Sequence, residues 1–260
     1  MSKDLLHLVT ISGNSKRFTD KSYKHKAICE INGYSVIETF IKSFSDFNNY
    51  ETIFLCREDD INNTPLKEAI EKHATNHKVL GIEKNNLGPV FSISKVFDHI
   101  PDDRPLLISY VDTLQRTTIE TMVNYFGDYD GGMTVHDFKN PHWRTNRSYC
   151  LVEYDDKFNA TNVVEKYNFK DEDFLSKGKS GSSGNYYFKN GALLKKYFNF
   201  IMENDIRVNN EFYVTQAIEH MIKDDLKVKA YLCPYAALGT PEDLEDYSFW
   251  MRWFNDFNIS

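Results

Sequence analysis

Residues 12–18 read Ser-Gly-Asn-Ser-Lys-Arg-Phe, directly behind a short apolar run at residues 5–11. Small residues at the end of a buried strand leave main-chain N–H groups open, and such groups can line an anion site. Between residues 16 and 26 stand Lys16, Arg17, Lys21, Lys24 and Lys26, opposed only by Asp20. A solvated lysine-rich loop has the same composition, so any chemistry depends on what faces it. Asp112 closes the most apolar run of the chain, residues 105–111. A carboxylate at the C-terminal end of a buried parallel strand sits where α/β sheets hold ligands, and a hard oxygen there suits Mg²⁺ shared with substrate phosphates. The alternative is a carboxylate that merely caps the following segment.

Glu165-Lys166 ends one expected strand and Gly184 precedes another, so both could border the same cleft. Glu211 is expected to open a helix, where its charge favours the dipole without any functional role. Residues 239–244, Gly-Thr-Pro-Glu-Asp-Leu, read as a turn with Thr240 as cap and Pro241 in the first helical turn. His73 and His77 would share a helix face, but no third zinc ligand lies near them in sequence. His136, His142 and Trp143 fall in a loop-rich stretch that could touch a substrate. No G-x-S-x-G elbow supports a nucleophilic serine.

The elements that must position these residues follow from composition and periodicity. A chain of 260 residues fits one large α/β domain, and 41% hydrophobic residues with 19 Phe and 16 Tyr exclude wholesale disorder. A net charge of −7 would repel nucleic acid or an anionic membrane as partner, so a phosphate-bearing ligand needs the local cations of residues 16–26. The four cysteines form no C-x-x-C pair and are expected to be reduced and buried. Residues 5–11 are too short for a signal or membrane segment, which implies a cytoplasmic protein.

Strands expected over residues 5–11, 51–56, 78–82 and 105–111 alternate with helices over 36–44 and 64–74, a helix carrying Phe91, Val96 and Phe97, and one through Phe126. That is the pattern of a parallel sheet covered on both faces. Strands over 131–138, 149–154, 162–166 and 183–188 follow without helices between them, suggesting a smaller mixed or antiparallel section, with residues 176–183 as a flexible polar loop. Helices over 192–203 and 211–223, a strand over 227–232 and a helix over 241–257 close the chain. The last helix is expected to carry Tyr247, Trp250, Met251 and Phe254 on one stripe. Its aromatics Phe249, Trp250, Trp253 and Phe254 could pack on the chain's own core or on a partner subunit in a homo-oligomer.

The order of these segments resembles the sugar-phosphate nucleotidyltransferases, or pyrophosphorylases. Gly13, Ser15, Arg17 and Phe18 resemble that family's G-x-G-x-R-[MF] loop, with Ser15 in place of the second glycine. His25-Lys26-Ala27-Ile28 before Asn32-Gly33 resembles its P-K-x-[LM] element without the proline. Leu87-Gly88-Pro89 occupies the place of its nucleotide-base loop, Asp112 that of its strand-end metal aspartate, and Glu165-Lys166 that of its acceptor-contacting pair. Gly184 with Tyr186 and Phe188, residues 211–215 and residues 239–242 resemble its later signatures. Residues 130–132 and 183–188 look closest to members of bacterial capsule and surface-polysaccharide pathways.

The resemblance implies a Rossmann-like, three-layer α/β/α fold of GT-A type, with a mostly parallel sheet and a smaller mixed section. It implies one nucleotidyltransferase domain over residues 1–260, with a nucleotide-binding half to about residue 126 and an acceptor-binding half beyond. Arg17, Lys26 and Asp112 would be catalytic, with Asp112 holding Mg²⁺. Ser12, Gly13, Asn14, Ser15, Lys16, Leu87, Gly88 and Pro89 would bind the nucleoside triphosphate, with CTP or UTP favoured and the base left open. Glu165, Lys166, Gly184 and Glu211 would bind a phosphorylated small-molecule acceptor. Ala237 departs from the pattern, since many members carry a second metal aspartate there. The alternatives are a cytidylyltransferase for a non-sugar acceptor, an inactive nucleotide-binding homologue, or a GT-A glycosyltransferase. The last would normally show D-x-D, where this sequence has Asp112-Thr113-Leu114.

Overall fold

The computed structural model describes residues 4–13, 15–19, 25–137 and 148–256. The first half contains β1 (Leu6–Thr10), α1 (Lys16–Thr19), β2 (Glu30–Ile31), β3 (Tyr34–Ser35), α2 (Val36–Ser43), β4 (Glu51–Arg57), α3 (Glu58–Asn63), α4 (Leu66–His73), β5 (His77–Ile82), α5 (Gly88–Ser94), β6 (Leu106–Tyr110), β7 (Thr113–Gln115) and α6 (Ile119–Phe126). The second contains β8 (Gly131–His136), β9 (Ser148–Tyr154), β10 (Ala160–Asn168), β11 (Lys179–Phe188), α7 (Gly191–Glu203), α8 (Val214–Lys223), β12 (Val228–Leu232), β13 (Tyr235–Ala237) and α9 (Pro241–Asp256).

Strand alternation explains the layers. On β1, Leu6 and Leu8 enter one core while Val9 enters the other; on β4, Ile53 and Leu55 face away from Phe54 and Cys56. Both faces of the sheet must therefore be covered. Helices α5, α7 and α8 cover one face through residues such as Ile93, Phe198 and Ala217, and α2, α4 and α6 cover the other through Phe40, Ile70 and Phe126. The sheet runs β10-β9-β11-β6-β1-β4-β5, with β8 joined to β11 and β12. Strands β6, β1, β4 and β5 are mutually parallel, while β11 pairs antiparallel with β6, β8 and β9. From β1 the chain winds one way to β4 and β5 and then returns to β6 on the other side. That reversal opens a crevice beyond the C-terminal ends of β1 and β6.

Several expectations need correction. Residues 179–183 are strand, with Ser180 and Ser183 buried, because β8 and β9 take up their backbone groups and small side chains fit between layers. Glu211 does not open a helix; α8 starts at Val214, and residue 212 is hydrogen-bonded to the segment before α5. His73 ends α4 whereas His77 starts β5, so they share no helix face. His136 is buried in β8, its ring stacked on Tyr235 at 4.5 Å, and His142 and Trp143 lie outside the described residues. Trp250, Met251 and Phe254 point outward from α9, with Trp250 half exposed, rather than into the core. All four cysteines are buried and none is in a disulfide, as expected. Among the described residues no helix is long and apolar enough to cross a membrane.

Candidate active site

Parallel pairing aligns Thr10 on β1 with Tyr110 on β6, so the residues that follow each strand emerge side by side. Below this opening, His7 Nε2 lies 2.8 Å from Ser109 Oγ across the same two strands. Burial lowers the His7 pKa from 6.5 to about 3, so a neutral ring supports the floor. Past β1 the chain turns through Ser12, Gly13 and Ser15, the last at φ 49°, into the single turn of α1.

Lys26 starts a 3-10 turn, residues Lys26–Ile28. Its Nζ donates to Asp112 Oδ2 at 2.6 Å, closing a pair that is 86 residues apart in sequence. Burial alone would raise the Asp112 pKa, but the charge and hydrogen bond of Lys26, with help from Asp112's own backbone N–H and Arg17, bring it below the ordinary value. The pair is only partly screened by water, with side chains 16% and 20% exposed.

Lys26 and Asp112 share a cavity of about 460 Å³ with Ser12, Gly13, Ser15 and Arg17. Gly88 and Pro89 form another wall beside Glu211, and Lys166 also borders the space. Arg17 is exposed yet lines this space. The α1 backbone includes Lys16, of whose side chain nothing is described, and Asn14 lies outside the described residues. Leu87 is not in the lining; it packs on the core, and its carbonyl accepts the Phe212 N–H at 2.8 Å. Val90 N–H in turn donates to Phe212 O at 3.2 Å. Gly88 makes this docking feasible: at φ +89° a Cβ there would lie 2.7 Å from Phe212 O. The base-loop region and the Glu211 segment are therefore one unit.

Lys166 reaches the cavity because β10 is irregular. The register with β9 slips between Val164 and Tyr167, Lys166 takes φ 56°, and its Nζ sits 5.2 Å from the centre of the Tyr213 ring. Glu165 stays outside the lining. It accepts a 2.5 Å hydrogen bond from Thr215 Oγ1, and burial raises its pKa in spite of that bond. Gly184 also stands behind the site, at φ +90°, where a Cβ would press on Thr113 Cγ2 at 3.0 Å. Residues given no role from sequence complete the lining, among them Asn85, Asn86, Ser92, Tyr110 and Tyr213. Asn85 and Asn86 directly precede Leu87, and Tyr110 ends β6 two residues before Asp112, so these three had a positional signal.

Gly239 lies against the carboxylate, since a Cβ there would stand 3.3 Å from Asp112 Oδ2. The absent side chain leaves room beside a hard oxygen donor, which fits a divalent ion that keeps its waters and shares phosphate oxygens. Ala237 is buried on β13 opposite Thr113 and offers no second carboxylate. Among the described residues no group of three or more His, Cys, Asp or Glu converges on a metal position.

The nucleotidyl transferase family profile matches residues 13–248. The chain belongs to this family. The nucleotidyltransferase aligns with the nucleoside-diphosphate-sugar pyrophosphorylase from Vibrio cholerae RC9 at TM-score 0.74 and 15% identity, covering 94% of this chain and 99% of that one. It aligns with the inositol-1-phosphate CTP transferase from T. maritima at TM-score 0.69 and 12% identity, covering 96% of each. HddC from Yersinia pseudotuberculosis complexed with GMP-PN aligns at TM-score 0.63 and 17% identity, over 95% of this chain and 99% of that one. No curated protein sequence matches the chain. The likeness establishes the Rossmann-like fold expected from sequence, and family membership makes the protein a nucleotidyltransferase enzyme.

Proposed function

We propose that the enzyme joins a phosphate monoester to the α-phosphorus of a nucleoside triphosphate, releasing pyrophosphate and an NDP-linked product. The 2.6 Å contact of Lys26 with Asp112, inside the cavity that also holds Arg17, carries this reading. Two anions must meet in line, so charge neutralisation and alignment supply most of the catalysis. Arg17 and the amides of residues 12–16 hold the triphosphate and balance the charge of departing pyrophosphate. Lys26 stands between the α-phosphate and its attacker and keeps Asp112 ionised. A divalent ion, Mg²⁺ by the chemistry of the donor, polarises phosphate oxygens when bound, and Asp112 is the residue that would hold it.

Gly88 and Pro89, with Asn85 and Asn86, border the nucleoside end. The acceptor lies toward Lys166, Glu211 and Tyr213: the Lys166 amine suits its phosphate, and the Glu211 carboxylate accepts from its hydroxyl groups. Glu165, held by Thr215, and Gly184, packed on Thr113, shape this end from behind. A sugar phosphate, with the product used in capsule or surface-polysaccharide synthesis, is the acceptor class we assign, within one domain spanning both ends of the cavity. Pyrophosphate release from CTP, UTP, GTP and dTTP against a panel of phosphate monoesters tests this. Release that requires both substrates supports it; nucleoside diphosphate released from a nucleotide sugar, with no pyrophosphate, points instead to glycosyl transfer.

A further inference from the structure

Lys26 sits on a single 3-10 turn, a short element with little rigidity of its own. Yet its amine must be held against Asp112. The residue before it, His25, is buried at 5% exposure and supplies two acceptors to that turn. Its ring Nδ1 accepts the Ala27 N–H at 3.2 Å, and its carbonyl accepts the Ile28 N–H at 3.0 Å. Cys29 Sγ adds a second contact to the same carbonyl at 3.6 Å. The Lys26 N–H meets Ser15 Oγ at 3.4 Å, which ties the turn to the loop after β1.

The imidazole is itself held from behind. Its Nε2 lies 3.5 Å from Asp60 Oδ2, too long for a good hydrogen bond but close enough for the carboxylate to orient the ring. Asp60 is fixed by Arg57 through a two-pronged contact, Nε to Oδ2 at 2.7 Å and Nη2 to Oδ1 at 3.0 Å. With Nδ1 accepting, the ring proton belongs on Nε2, facing Asp60. Burial keeps the ring neutral by lowering its pKa to about 4, so Nδ1 retains its lone pair for Ala27 at neutral pH. The chain Arg57, Asp60, His25, Ala27 thus runs from the end of β4 to the base of the Lys26 side chain.

We propose that His25 is a positioning residue: its ring Nδ1, braced by Asp60 and Arg57, caps the turn that aims Lys26 at Asp112. The consequence for rate rests on the role given to Lys26 above, whereas the aim itself does not. Misplacing a catalytic group by about 1 Å costs on the order of 100-fold in rate.

The test compares His25→Phe, which removes the acceptor, with His25→Asn, whose Oδ1 can take the place of Nδ1. Two readouts separate the possibilities. The first is turnover with the best substrate pair. His25→Phe should lower kcat about 30-fold or more with a smaller change in KM. His25→Asn should stay within about threefold of the parent, and in a Lys26→Ala background His25→Phe should cost no more than about twofold.

The second readout needs no turnover: the ¹H–¹⁵Nζ resonance of Lys26 in lysine-labelled protein, assigned by its loss in Lys26→Ala. It should be shifted by the Asp112 contact in the parent and in His25→Asn, and move to the free-amine position in folded His25→Phe. An unchanged resonance in folded His25→Phe overturns the proposal. So does an equal loss of rate in the Lys26→Ala background. A shifted resonance that responds as described in a protein without nucleotidyl transfer refutes the functional reading and leaves the positioning role standing.

Discussion

Replacing Lys26 by alanine removes the charge on which the pocket's electrostatics turn. Its amine is 2.6 Å from Asp112 Oδ2, and the side chains are 16% and 20% exposed, so water reaches the pair only in part. Removing one preorganised donor from a site of this kind costs about 2.7–4 kcal/mol in the transition state, roughly 100- to 1,000-fold in kcat. The partial exposure argues for the lower end, about 100-fold. A second effect has a definite sign. Burial pushes the Asp112 pKa up, and Lys26 is the main reason that it ends below its ordinary value. Without Lys26 the carboxylate protonates at higher pH, so the acid limb of the residual rate moves upward. Pyrophosphate release measured from pH 5 to 8, with circular dichroism to check the fold, reads both effects. A kcat within threefold of the parent and an unmoved acid limb would refute the reasoning.

Asp112→Asn should raise the Mg²⁺ concentration needed for half-maximal rate, and Gly239→Ala, which crowds Asp112 Oδ2 from 3.3 Å, should do so more weakly; identical metal titrations for all three proteins would exclude Asp112 as the ligand. Gly88→Ala places a Cβ 2.7 Å from Phe212 O at φ +89°, a strain of about 1–3 kcal/mol. It should detach the base loop from residue 212 and raise the KM for nucleotide at least tenfold, and an unchanged KM would show that the docking does not matter. His7 and His25 are held neutral, with pKa values lowered by burial from 6.5 to about 3 and about 4. The unfolded chain takes up these protons first, so their contribution is complete above pH 6.5 and lost as pH falls toward 4. Each adds a slope of about 1.4 kcal/mol per pH unit. Urea midpoints that stay flat between pH 6.5 and 5 would contradict this burial.

The parts of the site that were readable from sequence are those where one residue type has one physical use. Buried parallel strands announce themselves as short apolar runs, so the ends of β1 and β6, and with them the basic loop and Asp112, could be placed correctly. Lys26 stood out by charge, but nothing local foretold that a histidine cap would bend its segment into a 3-10 turn. Residues 179–183 misled because serine and glycine favour loops by local preference, while here neighbouring strands satisfy their backbone. Glu211 misled because its segment is shaped by hydrogen bonds to residues 87–90, more than 120 positions away. The three-residue strands β7 and β13 pair only with each other and are too short to carry a period. Lys166 enters the cavity through a slip in strand register, which alternation cannot forecast.

The central claim is attack at the α-phosphorus by a phosphate monoester. Supplying the nucleoside triphosphate once with ³²P at the α position and once at the γ position tests it directly. The account predicts α label in the NDP-linked product and γ label in pyrophosphate. Label from the γ position in the acceptor, or in free phosphate, would contradict it.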